Sequence, residues 1–143
     1  MTESAWFYWA LLSAMFAALT AIFAKIGLQG VDSDLATLIR TLIIVLVLGA
    51  FVYATGKWTN PLRLRAHTLL FLALSGLATG ASWVCYFRAL KLGRASQVAP
   101  IDKLSVVLVA LFAVIVLGER PSVRDWCGIG LVAAGAIVLG LRP

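Results

Sequence analysis

The sequence predicts an all-α, polytopic membrane protein, a transmembrane bundle of five helices, and three observations carry that prediction. Of its 143 residues, 62% are hydrophobic, the mean hydropathy is +1.01 and only 13% are charged. Soluble domains carry roughly twice that charged fraction, about 25%. Apolar stretches recur at a length near the ~20 residues that cross a bilayer core as a helix. The connections between them are short, polar and rich in Gly, Pro and Asx.

The first span is drawn from Trp6 to Leu28. Its leader MTES carries Glu3 where a signal peptide would hold basic residues, and the apolar run exceeds an h-region, so a retained span is expected. The second runs from Leu35 to Gly56, the third from Leu69 to Leu90, the fourth from Ser96 to Leu117 and the fifth from Val123 to Leu141. Trp6, Tyr8, Trp9, Tyr53, Trp58 and Trp126 fall at span ends, where amphipathic rings suit the headgroup boundary. Trp83 and Tyr86 lie inside the third span and either face a cavity or pack on neighbouring helices. Small residues at helical spacing, Gly76 with Gly80, Gly130 with Ala134, Ala136 with Gly140, Ala14 with Ala18 and Ala17 with Ala21, let backbones approach closely, by default within the chain. No connection (QGVDSD, KWTNPLRLRAH, KLGRA, GERPS) holds a soluble domain, so residues 1–143 read as a single membrane domain.

The net charge of +6 sits mostly at the ends of apolar runs, where it meets lipid headgroups, and nucleic acid is not an expected partner. Cys85 and Cys127 have no metal-ligand spacing and read as small apolar packing residues. His67, the sole histidine, belongs to no catalytic or metal constellation, so neither enzyme activity nor any cofactor is expected.

Five spans place the termini on opposite sides. One side collects Lys57, Arg63, Arg65, Arg120 and Arg124; the other collects Arg88, Lys91, Arg94 and Arg142, with Lys25, Arg40 and Lys103 deeper. The positive-inside rule needs a clear excess, and here the count is nearly even. Insertion in both orientations and a single orientation set by one charge both remain open on composition.

Lys25, Arg40, Arg88, Asp102 and Lys103 all fall in one half of the membrane. Lys25 and Arg88 read as snorkelling cations. Asp102 has a short side chain, and an ionised carboxylate at that depth needs a cation or water. In a continuous helix adjacent side chains diverge by about 100°, which argues against Lys103. The expected partner of Asp102 is Arg40, then Lys25, and Lys103 is left to snorkel or face a cavity. Pro100 lies in or just past the first turn if the helix begins near Ser96, and frees the Ser96 carbonyl and kinks the helix if it begins earlier.

The stretch from Ser82 to Leu141, with RALKLGRAS, APIDKLS and LGERPS followed by a small-residue-rich helix, closely resembles the EamA domain of the drug/metabolite transporter superfamily. FAKIGLQGVDSDLATLIRT, nearer the N-terminus, resembles its five-span bacterial members, so the resemblance covers nearly the whole chain. It implies one half of a ten-helix inverted-repeat transporter, completed by an antiparallel homodimer of dual topology. It further implies alternating access in the bacterial inner membrane and a small polar or amphipathic solute. Trp83, Tyr86, Asp102 and Lys103 are the expected cavity contacts, lining a cavity of the first, third and fourth spans, and the excess positive charge suggests an anionic or zwitterionic solute. The small multidrug resistance proteins are similar in size, but their first-span glutamate has no counterpart here, since no acid lies between Trp6 and Leu28. The alternative role is an accessory or assembly subunit whose buried charges are structural.

Overall fold

The computed structural model describes residues 5–141, apart from the side chain of Leu62. Glu3 and Arg142, which entered the sequence reading, lie outside the described residues. Every long element is helical. Helix α1 spans Ala5–Gly27, α2 Ser33–Ala54 and α3 Ala66–Leu92; Ala95–Asp102 is α4, Ser105–Phe112 is α5 and Val123–Gly140 is α6. A single 3₁₀ turn, Pro61–Arg63, precedes α3, and a π-helical turn, Ala113–Leu117, extends α5. Taken with that turn, α4 and α5 make one crossing segment, Ala95–Leu117, so among the described residues five segments are long and apolar enough to span a membrane. Their bounds lie within three residues of those drawn from sequence, and helices are what a bilayer requires, because each backbone N–H and C=O must be satisfied within the segment.

The fourth crossing is interrupted. Pro100 is the sixth residue of α4, just past its first turn. Having no N–H, it cannot bond the Ser96 carbonyl. Two residues later the helix tightens: Lys103 N donates to Pro100 O and Leu104 N to Ile101 O, each at 3.0 Å. Val106 N to Lys103 O and Val107 N to Leu104 O repeat the three-residue spacing before the α-helix resumes. The irregularity thus sits inside the crossing, at Asp102–Leu104, and not at its start.

The chain divides into two compact units, residues up to 23 together with those from 92 onward, and residues 24–91. In the first unit α4 and α5 run down one side of a hairpin and α6 returns along them. Gly118 turns the chain at φ 68°, a left-handed conformation that costs glycine little. Ser122 then caps α6 by a reciprocal box: its Oγ accepts from Asp125 N, while its own N–H donates to Asp125 Oδ2 at 2.7 Å. Ala136 is buried at 3% exposure, and a Cβ at Gly140 would collide with the side chain of Ile101. The Ala136/Gly140 pair therefore serves packing within the chain, as expected. Gly76 and Gly80 do not: a Cβ at either would meet nothing within 4 Å.

In the second unit the buried residues are Leu28, Ser33, Thr37, Phe87 and Leu90, gathered where the α1–α2 turn, the start of α2 and the end of α3 meet. Elsewhere large apolar side chains stand open, Leu46 at 72%, Ile115 at 77% and Leu131 at 75% exposure among them. In water such surface would be an aggregation hazard. On segments of membrane-spanning length it is the face offered to lipid or to another helix.

Gly140→Val should overpack α4 against α6 and destabilise the protein by about 1–3 kcal/mol. Adding Ile101→Ala should recover most of the loss. Equilibrium unfolding of single and double variants in detergent measures both, and a double variant no better than Gly140→Val would contradict the contact.

Candidate functional site

Three cations and two acids meet at one end of the second unit, and local sequence decides how each is held. Asp32 precedes α2 in an extended conformation and caps it, its Oδ1 accepting from Asp34 N at 2.9 Å and Leu35 N at 3.2 Å. Two of the orphan donors of the helix start are thereby satisfied. Asp34, in the first turn of α2, is then free to point at α3. Arg88 takes it in a forked pair, Nε to Oδ1 at 2.9 Å and Nη2 to Oδ2 at 2.6 Å. Both side chains are about half exposed, 60% and 49%, so the fork fixes geometry more than it adds stability. The snorkelling expected of Arg88 is thus replaced by an ion pair, and Asp34 is the charged partner that sequence reading missed. An acid in the first turn of α2 and a base in the last turns of α3, facing one membrane side, were the available signal.

Lys91 Nζ donates to Val31 O at 2.8 Å, tying the end of α3 to the α1–α2 turn. Lys25 Nζ donates to Leu90 O. That carbonyl is among the last four of α3, which no intrahelical N–H reaches, and it lies at the negative end of the helix dipole.

Arg40 stands apart from these. It lies on the less exposed stripe of α2 with Ser33, Ala36, Thr37, Thr41 and Ile44, whereas Leu38, Ile39, Leu42 and Ile43 are exposed. Its guanidinium carbon sits 4.2 Å from the centroid of the Trp83 ring and 5.3 Å from that of Phe87. A cation over a ring face at this distance is attracted by the quadrupole, worth about 0.5–2 kcal/mol as water is excluded. Trp83 and Phe87 are one helical turn apart on α3, and both fall on one face. Tyr86 shares that side of the helix and is close enough to Arg40 to act on it electrostatically.

Asp102 and Lys103 are found in the first unit. Contrary to the helical-geometry argument, they face each other: Lys103 Nζ lies 3.4 Å from Asp102 Oδ2, with 57% and 38% of the two side chains exposed. The break at Asp102–Leu104 is the physical reason, since the rule that adjacent side chains diverge assumes an unbroken α-helix. Within the second unit, Arg40 meets aromatic rings and Lys25 a carbonyl. An open groove of the first unit, between α5 and α6, is lined by Val106, Val109, Ala113, Glu119, Arg120 and Ile129 and contains neither Asp102 nor Lys103.

Over residues 4–141 the chain matches the EamA-like transporter family. It is 58% identical over 141 residues to an "Uncharacterized transporter in cobO 3'region" of a Sinorhizobium species, covering 99% of each chain. It is 32% identical over 105 residues to the "Probable 4-amino-4-deoxy-L-arabinose-phosphoundecaprenol flippase subunit ArnE" of Salmonella paratyphi C, covering 68% of this chain and 95% of that one. The protein of the same name from Escherichia fergusonii is 29% identical over the same length. No solved structure matches the chain significantly.

Asp34→Asn and Arg88→Leu should each lower the melting temperature in detergent. The exchange Asp34→Arg with Arg88→Asp should restore most of it, because the fork can form in reverse. Losses that simply add in the exchanged variant would show that the pair contributes nothing.

Proposed function

The chain belongs to the EamA-like transporter family and is a multi-pass transporter of the bacterial inner membrane, and from that premise we propose that it is a half-transporter working as an antiparallel homodimer. The carrying observation is that the family match occupies residues 4–141 in a chain with five crossing segments. Under this reading the two units act together as one EamA-type domain, and a second copy in the opposite orientation completes the inverted repeat. Two features support it. The Lys/Arg count is nearly even between sides, which permits both insertions. Gly76 and Gly80 leave a smooth strip on α3 that a second helix can approach.

The pair moves a small polar or amphipathic solute by alternating access. The interrupted crossing at Asp102–Leu104 supplies the irregular backbone and polar side chains that a midmembrane pathway uses. Asp102, Lys103, Trp83 and Tyr86 are its solute contacts. A second reading comes from the relatives called flippase subunits: a chain of this size acting as one subunit of an assembly, its buried charges structural.

Single-cysteine labels in the 57–66 loop and near the C-terminus test the orientation, after the exposed Cys85 and Cys127 are replaced. Labelling of each site from both membrane faces is expected, and one face throughout would exclude the antiparallel homodimer. Asp102→Asn should abolish solute flux in proteoliposomes while melting temperature and assembly stay near wild type. Intact flux with impaired assembly would favour the subunit reading.

A further inference from the structure

The cations of the second unit differ in what meets them. Arg88 spends its fork on Asp34, Lys91 donates to the Val31 carbonyl and Lys25 to the Leu90 carbonyl. Arg40 meets ring faces instead. No carboxylate of the unit pairs with it, and none of its N–H groups is hydrogen-bonded to a described residue of the unit. A guanidinium carries five N–H donors, and a ring face attracts its charge without supplying oxygen acceptors for them. Nearby hydroxyls donate to their own helix, Thr37 Oγ1 to Ser33 O at 2.8 Å and Thr41 Oγ1 to Thr37 O at 2.7 Å.

Depth makes this arrangement costly. Arg40 is seven residues into α2, about 10 Å along its axis at 1.5 Å per residue. A charge at such depth is kept where it faces the protein side of the helix and serves a ligand or pathway. The stripe that Arg40 shares with Thr37 and Thr41 is that side. The rings hold the guanidinium in place, so less freedom is lost when its donors are filled. The group that fills them best has two coplanar or tetrahedral oxygens and a negative charge.

We infer that Arg40, seated on Trp83 and Phe87, is the binding group for the oxyanion of an amphipathic ligand, a phosphate or carboxylate head carrying an apolar chain. The rings give the chain an apolar wall beside the head. A cationic head is rejected, because the ring face it would seek already holds a guanidinium. The inference leans on the transporter reading only in treating the ligand as cargo; the binding itself is tested apart from flux.

The test uses the purified full chain in dodecyl maltoside, a detergent without phosphate. It is titrated with dodecyl phosphate, with butyl phosphate and with dodecyltrimethylammonium while tryptophan fluorescence is followed, Trp83→Phe assigning the signal to Trp83. Dodecyl phosphate should produce a saturable change that the ammonium compound does not. Arg40→Gln should weaken it about tenfold or more, the loss of one or two charge-assisted hydrogen bonds. Arg40→Lys, which keeps the charge but not the fork, should bind between the two. Saturation by butyl phosphate at similar concentration identifies a soluble phosphate ester as the source of the head; response to the long chain alone identifies a lipid.

Equal affinity in wild type and Arg40→Gln overturns the inference, as does the absence of saturable binding in wild type or an equal response to the cationic amphiphile. If Arg40→Gln does not fold, wild-type affinity in Arg40→Lys overturns it as well. Arg40-dependent binding without any flux in proteoliposomes would sink the transporter reading and leave the site standing. Flux unaffected by Arg40→Gln and insensitive to dodecyl phosphate would do the reverse.

Discussion

A helix that ends at or below the headgroup layer leaves carbonyls that no N–H of its own can reach, and lipid offers no water to satisfy them. Much of the second unit follows from how this chain meets that constraint. Leu90, fully buried near the end of α3, has its carbonyl taken by Lys25 from the end of α1. Lys91 reaches back to Val31 in the α1–α2 turn. Long cationic stems thus do at a helix end what a soluble protein leaves to glycine caps and solvent. The opposite pole is treated in the same way, with Asp32 capping the N–H groups of α2 and Asp34 presented to Arg88.

These contacts set the register between α2 and α3, and the register places Arg40. With Asp34 held by Arg88, Arg40 lies a turn and a half deeper on α2 and meets Trp83 and Phe87, five residues and one residue before Arg88 on α3. The ion pair near the membrane surface and the cation–π contact below it are consecutive rungs between two antiparallel helices. The outer rung, half exposed, contributes alignment, and the inner rung, less exposed, seats a charge on two ring faces.

Much of this was legible in the chain before any coordinates. The five crossings and the packing role of Ala136 and Gly140 follow from hydrophobic length and small-residue spacing. The words RALKLGRAS, APIDKLS and LGERPS in the last sixty residues were enough to point to the family. What resisted was pairing. Arg88 read as a snorkelling residue because its acid lies 54 positions away, across the connection between α2 and α3. Asp102 and Lys103 were separated by a rule for continuous helices, and Pro100 with the tightened turn after it removes the condition on which that rule rests.

Sequence by itself determined which segments cross the membrane, where they start and stop, and which residues are too polar to be there without reason. Those are local matters of transfer free energy and backbone satisfaction, summed over some twenty residues at a time. Tertiary structure decided which partner each intramembrane charge takes. Carbonyl, carboxylate and aromatic face are all acceptable to a cation in low dielectric, and only the register of one helix against another chooses among them.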